Sequence, residues 1–166
     1  IINDSSLILL LGTMPGEESI KRQEYYGHKS NLFWKILFTI YNKPLPSDYK
    51  ERVALLTENG IALWDVLASC EGKGSADSSI VNETPNDFSH LFKSHPHIHT
   101  VLFTSRKAES FYKKYVGFDN NIQYAVLPSP SPAYASMTFE AKLSQWTTLL
   151  LQALSPNIQN LDSGKL

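Results

Sequence analysis

The sequence predicts an α/β fold, a three-layer α/β/α domain with a central, mainly parallel sheet of about four strands. Short apolar runs with the length of buried strands alternate along the chain with segments of helical periodicity. This alternation is typical of a parallel sheet that helices cover on both faces. The chain has 166 residues, of which 42% are hydrophobic, and this is enough for one domain with a substantial core. We therefore expect one domain over residues 1–154 and a flexible tail over residues 155–166.

The individual elements are predicted from apolar spacing and from turn and capping residues. The predicted strands span residues 6–12, 61–67, 100–104 and 124–127. The predicted helices span residues 31–41, 48–58, 86–94, 105–115 and 139–154, and the polar segment 17–23 is compatible with one more. Ser47 is the expected N-cap of the helix over residues 48–58, and Gly60 follows its end. Residues 69–85 form a Gly- and Ser-rich connection whose length is typical of a functional loop.

Composition and charge narrow the function classes. The net charge of −1 argues against a strong, diffuse nucleic-acid binder but allows a small local basic face. The cations available for such a face are Lys21, Arg22, Lys29, Lys35, Arg106, Lys107, Lys113 and Lys114. The single cysteine, Cys70, cannot form an internal disulfide, which suits a reducing compartment. No apolar run in the sequence is long enough to span a bilayer, and we expect neither a secretory signal nor a membrane partner.

No metal and no cofactor are expected. Three alternating histidines, His95, His97 and His99, follow His90, but no cysteine or carboxylate accompanies them at zinc-binding spacing. The chain has no Gly-Lys-Ser/Thr phosphate loop, and its first turn lacks the Gly-x-Gly-x-x-Gly pattern of dinucleotide sites. Ser129 does not lie in a Gly-x-Ser-x-Gly elbow, which disfavours a serine hydrolase.

Two unusual turns follow predicted strands. Residues 12–16 (Gly-Thr-Met-Pro-Gly) follow the first strand, and residues 127–133 (Leu-Pro-Ser-Pro-Ser-Pro-Ala) follow the fourth. The carboxyl ends of parallel strands meet at one edge of the sheet, so we expect both turns to border one crevice. The glycines of the first turn allow close approach of a ligand. The prolines of the second hold the hydroxyls of Ser129 and Ser131 and the remaining N–H groups outward, which suits a phosphate backbone, although a rigid surface turn is the alternative.

Aromatic and polar residues follow the first turn closely. Tyr25, Tyr26 and Phe33 are candidates for stacking on a planar base, and core packing is the alternative, above all for Trp34. Asn31 either caps the following helix or offers its amide to a base edge or a water molecule.

Together these segments resemble the uracil-DNA glycosylase superfamily over residues 7–146. The turn over residues 12–16 resembles its first motif, and residues 127–133 resemble its second, the Pro-Ser loop that grips the DNA strand. Tyr-Tyr-Gly-His at residues 25–28 and Asn-Leu-Phe-Trp at residues 31–34 resemble the segment between the motifs in the mismatch-specific and hypoxanthine branches. Met14 stands where the mismatch-specific branch has a water-positioning Asn, and Leu127 stands where several branches have His or Asn. This pattern is most similar to the hypoxanthine-DNA glycosylase branch.

The resemblance implies a monofunctional DNA glycosylase that flips a deaminated base, hypoxanthine preferred and uracil second. Hydrolysis of the N-glycosidic bond would begin base excision repair. The expected partner is DNA containing deaminated bases, and the expected state is a cytoplasmic monomer. No lysine stands out as a Schiff-base former, so lyase activity is not expected. The alternatives are a non-catalytic relative that binds DNA or abasic sites, and an α/β hydrolase that acts on nucleosides.

The resemblance also assigns roles to residues. The implied catalytic residues are Asn31, Gly12, Thr13 and Met14. The implied base-binding residues are Tyr25, Tyr26, Phe33, His28, Asp77 and Thr104. The implied DNA-binding residues are Pro15, Gly16, Ser129, Pro130, Ser131, Pro132, Ala133 and Tyr134. Tyr134 and Met137 are candidates for the side chain that fills the space left by the flipped base, and packing under the terminal helix is the alternative for both.

Overall fold

The structure is a computed structural model that describes residues 1–71 and 81–155. Within these residues the elements follow in the order β1 (Ile8–Gly12), α1 (Glu17–Arg22), α2 (Phe33–Ile40), α3 (Tyr49–Glu58), β2 (Ile61–Asp65), β3 (Leu67–Glu71), β4 (Val81–Pro85), α4 (Phe88–Ser94), β5 (Thr100–Phe103), α5 (Arg106–Tyr115), β6 (Gln123–Val126) and α6 (Phe139–Leu154). The predicted tail begins at the last described residue, Ser155, and otherwise lies outside the described residues.

The central sheet has four parallel strands in the order β2-β1-β5-β6. The chain leaves β1 for β2 on one side and later places β5 on the other side of β1. Such a change of direction opens a crevice outside the carboxyl ends of the strands. The register pairs Gly12 at the end of β1 with Asp65 at the end of β2. The predicted fold class and strand number are confirmed.

Alternate residues of β1 face two separate cores. Ile8 and Leu10 pack with helices α2, α3 and α6 on one face of the sheet. Leu9 and Leu11 pack with α4 and α5 on the other face. All four leucine and isoleucine side chains are fully buried, as expected for a strand covered on both faces. The three layers follow from this arrangement.

Capping residues set most helix starts. Asp48, not the predicted Ser47, is the N-cap of α3, because the helix begins at Tyr49 and the Asp48 carboxylate accepts a hydrogen bond from the Lys50 amide (2.9 Å). Gly60 follows α3 with a φ of +67°, a conformation that favours glycine. Helix α6 has the predicted bounds.

The predicted strand over residues 61–67 is two strands. The parallel pairing with β1 ends at Asp65, and β3 then pairs antiparallel with β4 in a separate two-stranded sheet. The amides of Val66 and Leu67 donate to the carbonyls of Gly12 (2.9 Å) and Thr13 (3.0 Å). Residues at both ends of the connection predicted over residues 69–85 therefore belong to β3 and β4, whose backbones pair with each other.

In the part of the chain that the structure describes, no helix is both long enough and apolar enough to cross a membrane.

Candidate active site

A crevice of about 630 Å³ opens outside the carboxyl ends of the central strands. Both unusual turns border it, as predicted, because each continues directly from one of these strands. The crevice floor is defined here as the buried residues of the lining at or next to the ends of β1, β2 and β5, which are Gly12, Thr13, Asp65 and Thr104. The exposed and half-exposed residues at its opening, here named the crevice rim, are Pro15, Gly16, Arg106, Lys107, Ser129, Ser131, Ala133, Tyr134 and Met137.

Gly12 is required at the crevice floor by lack of space. A Cβ on Gly12 would lie 2.5 Å from Asp65 Oδ1 and 3.1 Å from the hydroxyl oxygen of Tyr26. The backbone of Gly12 does not adopt a positive φ, so the glycine serves close approach and not backbone freedom. Gly16 has an extended backbone (φ −76°) that any residue can adopt, so its backbone conformation does not require a glycine.

A chain of hydroxyl groups fixes the orientation of Tyr26. Thr104 Oγ1 donates to the Leu11 carbonyl (3.2 Å). The Tyr26 hydroxyl lies 2.8 Å from Thr104 Oγ1, and either of these two hydroxyls can be the donor in this second bond. Both residues line the crevice, which places two of the predicted base-binding residues at its inner surface.

The segment before α2 supports the two tyrosines. The Tyr26 ring stacks on Phe33 with centroids 3.9 Å apart and planes 12° apart. Tyr26 also has a φ of +53°, a strained value for a bulky residue that surrounding contacts must hold. Tyr25, which also lines the crevice, is held through its backbone: its amide donates to the Tyr49 hydroxyl (3.0 Å), and its carbonyl accepts from Trp34 Nε1 (2.8 Å).

Hydrogen bonds within the Pro-Ser loop use its free amides. Ser129 Oγ accepts from the Ser131 amide (3.3 Å), and Ser131 Oγ accepts from the Ala133 amide (3.2 Å). The predicted outward N–H groups are therefore not available at these two positions. The hydroxyl protons of both serines stay available to donate, because each Oγ is the acceptor in its loop bond.

Outside contacts anchor the same loop. Trp146 Nε1 donates to the Pro128 carbonyl (2.9 Å), and the Leu32 amide donates to the Pro130 carbonyl (2.9 Å). The buried Lys142 donates to the Tyr134 carbonyl (2.7 Å), and burial lowers the pKa of this lysine. The loop therefore has a fixed position relative to both α6 and the segment before α2.

Helix α5 begins at the crevice rim. Ser105 caps it by accepting from the Ala108 amide (3.0 Å), and the Ser105 hydroxyl oxygen lies 3.3 Å from Thr13 Oγ1. The next two residues, Arg106 and Lys107, are exposed and line the opening. Cations and a helix N-terminus both favour anions, so this part of the rim suits a phosphate. Of the basic residues noted in the sequence, these two border the crevice.

Several predicted site residues lie away from the crevice lining. Phe33 is fully buried beneath Tyr26, so it cannot itself stack on a base as predicted. His28 and Pro132 are exposed and lie outside the lining. Pro130, by contrast, is buried and lines the crevice. Asn31 is also outside the lining. Leu32 and not Asn31 is the N-cap of α2, but Asn31 Oδ1 accepts from the amide of Phe33, the first residue of the helix (2.9 Å). The predicted base reader Asp77 lies outside the described residues.

Sequence reasoning missed Asp65. Only 8% of its surface is exposed, and it lines the crevice. Burial raises the pKa of Asp65 to about 7, because an apolar environment disfavours the charged carboxylate. The signal in the sequence was an acidic residue at the end of an otherwise apolar run, Ile-Ala-Leu-Trp-Asp-Val-Leu. Within residues 1–71 and 81–155, no group of three or more His, Cys, Asp or Glu side chains is placed to hold a metal ion.

Comparisons with known proteins show which family the chain is similar to. The sequence model of the uracil DNA glycosylase superfamily matches residues 1–155. A hypoxanthine DNA glycosylase of Methanosarcina barkeri is 38% identical over 112 residues, which are 67% of this chain and 71% of that protein. A hypoxanthine DNA glycosylase of Methanosarcina acetivorans is 35% identical over 134 residues, 80% of this chain and 84% of that protein. The solution NMR structure of a candidate uracil DNA glycosylase from M. acetivorans is similar, with a TM-score of 0.78, 31% identity and coverage of 93% of this chain and 94% of that one.

Proposed function

This chain belongs to the uracil-DNA glycosylase superfamily and is a DNA glycosylase, and from that premise we propose that it excises hypoxanthine from DNA, with uracil as a second substrate. The observation that carries the proposal is the crevice, whose lining is polar and buried at the floor and exposed at the rim. Its volume of about 630 Å³ lies within the range typical of small-molecule sites. The names of the two Methanosarcina relatives support hypoxanthine as the preferred base.

The difference in burial supports an orientation for the flipped nucleotide. The base has to leave the stack and enter a pocket, while its phosphates stay with the DNA strand outside. The crevice floor carries the buried carboxyl and hydroxyl groups that can hydrogen-bond a base edge. The crevice rim carries Arg106, Lys107 and the serines that can bind phosphates. The base therefore lies on the floor, and the sugar lies between floor and rim.

The first motif acts through its backbone and its lack of side chains. The carbonyls of Gly12 and Thr13 accept hydrogen bonds from Val66 and Leu67, which fixes the wall that the base would pack against. Met14 is half-buried against the core, and its thioether is a weak acceptor that positions water poorly. The predicted catalytic contribution of these residues is thus the shape and rigidity of the wall.

In the segment between the two motifs, Asn31 has a side-chain amide whose nitrogen can donate a hydrogen bond. Its side-chain oxygen accepts from the amide of Phe33 at the start of α2, and this bond leaves the amide nitrogen to donate elsewhere. The neighbouring Leu32 amide bonds the Pro-Ser loop, so the segment adjoins the crevice rim. We propose that Asn31 combines both functions, bonding the first amide of the helix and donating to the base or to the attacking water.

The reaction needs limited chemical help. Breaking the bond between deoxyribose and base gives the sugar cationic character and the base negative character. A donor aimed at the departing base, or a nearby phosphate beside the sugar, contributes selectively in the transition state. Without a lysine assigned to attack the sugar, water is the nucleophile and the enzyme is monofunctional.

A lesion panel tests the proposal. Duplex DNA with one deoxyinosine, one deoxyuridine or no lesion is incubated with the protein, and abasic sites are cleaved with alkali. We expect alkali-dependent cleavage at deoxyinosine, slower cleavage at deoxyuridine, and no borohydride-trapped adduct. Absence of cleavage at deoxyinosine overturns the substrate assignment, and faster cleavage at deoxyuridine reverses the preference.

We further propose that one chain acts alone as one domain over residues 1–154. The crevice floor and the crevice rim together carry the groups that the proposed reaction uses. Light scattering coupled to gel filtration, with and without lesion DNA, should give the mass of one chain per duplex. A dimeric mass at the concentrations used for activity would contradict this.

A further inference from the structure

The crevice floor contains the carboxyl group of Asp65, and the hydrogen bonds around it within residues 1–71 and 81–155 join other atoms: the Tyr26 hydroxyl lies 2.8 Å from Thr104 Oγ1, and Asn86 Nδ2 donates to the backbone carbonyl of Asp65 (2.9 Å). Asp65 is more than nine-tenths buried, and it lines the crevice beside Gly12. Its Oδ1 occupies the space that a Cβ on Gly12 would need. Buried polar groups are normally paired, and an unpaired buried carboxylate is costly. A group kept in this state at the inner surface of an active site indicates that its partner is the substrate.

The surroundings of Asp65 favour its protonated form. The charged and titratable groups on the surrounding elements are Tyr25 and Tyr26 before α2, Arg106 and Lys107 on α5, the amino group of Ile1 beside β2, and Asp87, His90 and His95 of α4. Burial is the main effect on Asp65, and it raises the pKa to about 7, with the Ile1 amino group lowering it to a smaller extent. An acid with a pKa near the working pH is well suited to give up a proton in a transition state.

The position of Asp65 decides between two roles for such a group. A base that activates water must face the sugar carbon, which lies between floor and rim in the proposed orientation. Asp65 lies on the floor, near the Tyr26 hydroxyl, and in the proposed orientation the floor is the part of the crevice that holds the base. The carboxyl group is therefore placed to donate to the base and not to activate the water.

We propose that Asp65 is a catalytic general acid that gives its proton to N7 of the departing hypoxanthine. This inference rests on the proposed function. The bond between C1′ of the sugar and N9 of the base breaks, and its electron pair stays on the base. The base takes the Asp65 proton at N7 and leaves as neutral hypoxanthine. Water adds its oxygen to C1′, and the proton that this water loses restores the carboxyl group.

The test pairs one variant with one substrate analogue. Asp65→Asn keeps the shape of the side chain and an N–H donor but has no proton to transfer. A 7-deaza-deoxyinosine lesion has carbon in place of N7 and cannot accept the proton. Single-turnover excision is measured for the unmodified protein and for Asp65→Asn on both lesions, from pH 5.5 to 9. Thermal unfolding and binding to duplex DNA with a stable abasic-site analogue verify that the variant is folded.

The unmodified protein should excise hypoxanthine about 100-fold or more faster than Asp65→Asn, and its rate should fall as pH rises through about 7. The excision rate of the unmodified protein on the 7-deaza lesion should be lower than its rate on hypoxanthine by a similar factor. Asp65→Asn should treat both lesions alike and lose the decline in rate above pH 7.

Three results overturn the assignment. If Asp65→Asn is nearly as fast as the unmodified protein, the carboxyl group is not the acid. If the variant still prefers hypoxanthine over its 7-deaza analogue by the original factor, another group protonates N7. If the unmodified protein excises no hypoxanthine at all, the proposed function fails, and the role of Asp65 fails with it.

Discussion

The crevice floor is fixed by the register of strands, whereas the crevice rim is fixed by hydrogen bonds within and around one loop. On the floor, the pairing of Gly12 with Asp65 leaves no room for even one added carbon atom. On the rim, Ser129 and Ser131 bond amides of their own loop, and their side chains stay half-exposed. An atom added on the floor should therefore cost about 2 kcal/mol, and the loss of one loop hydrogen bond on the rim about 1 kcal/mol.

The largest expected effect is on stability and comes from Asp65. In the unfolded chain its carboxyl group titrates near 3.9, and burial raises the pKa to about 7 in the folded protein. Between these values the folded protein holds a proton that the unfolded chain has lost, so the free energy of unfolding falls as pH rises from about 4 to about 7. Asp65→Asn should be more stable than the unmodified protein at pH 8, by on the order of 4 kcal/mol at most, and similar to it at pH 4.

Urea unfolding at several pH values measures this difference. Glu83→Gln is a control of opposite sign, because Lys114 Nζ and the Tyr115 hydroxyl both donate to Glu83 Oε1 (2.8 Å each) and lower the pKa of Glu83 to about 2. Its stabilising contribution is present above pH 4 and is lost toward pH 2, so Glu83→Gln should destabilise the protein at pH 8. An Asp65→Asn difference that stays constant between pH 4 and pH 8 would show that the carboxyl group is ionised in the folded protein.

Variants of Asn31 separate a role in the reaction from a role in the stability of the fold. Asn31→Ala removes the bond to the Phe33 amide and should lower the free energy of unfolding by about 1 kcal/mol. Asn31→Asp keeps an oxygen for that amide and removes the amide donor. If the donor takes part in the reaction, both variants should lose about 100-fold in excision rate, equivalent to about 2.7 kcal/mol, while Asn31→Asp keeps its stability.

Excision rates and urea unfolding, both measured for Asn31→Ala and Asn31→Asp, distinguish these two roles. Full activity of Asn31→Asp would assign Asn31 to stabilising the start of α2 alone. Loss of activity in proportion to loss of stability in both variants would lead to the same conclusion.

Sequence reasoning identified the fold and the rim more completely than the floor. The strand-helix alternation and the proline spacing of residues 127–133 are local signals, so the parallel sheet and the position of both turns could be predicted. Asp65 could not, because its importance depends on a register with Gly12 that joins positions 53 residues apart. Phe33 was given a base-stacking role because the sequence does not say which aromatic of a cluster is buried and which covers it.

Gly12→Ala tests how tightly the floor is fixed. The new Cβ would lie within 2.5 Å of Asp65 Oδ1, so the carboxyl group has to move or the strand ends have to separate. We expect a loss of about 2 kcal/mol in the free energy of unfolding, within the usual cost of overpacking. The same change in an Asp65→Ala background should cost much less, because the clashing oxygen is absent. If Gly12→Ala lowers the free energy of unfolding equally in both backgrounds, the steric limit at Gly12 comes from the Tyr26 hydroxyl and not from Asp65.

The smallest effect is expected at the rim. Ser129→Ala and Ser131→Ala each remove a hydroxyl donor and a loop bond, and each should weaken binding to duplex DNA with an abasic-site analogue about fivefold, or about 1 kcal/mol. Because no charge is removed, the salt dependence of the affinity should stay unchanged, whereas Lys107→Ala should reduce the logarithmic salt slope by about 1. Ser136→Ala is the matched control, since Ser136 is exposed and outside the crevice lining. Titrations at three salt concentrations separate these cases: serine variants that bind like Ser136→Ala would mean that the Pro-Ser loop shapes the rim without bonding the phosphates.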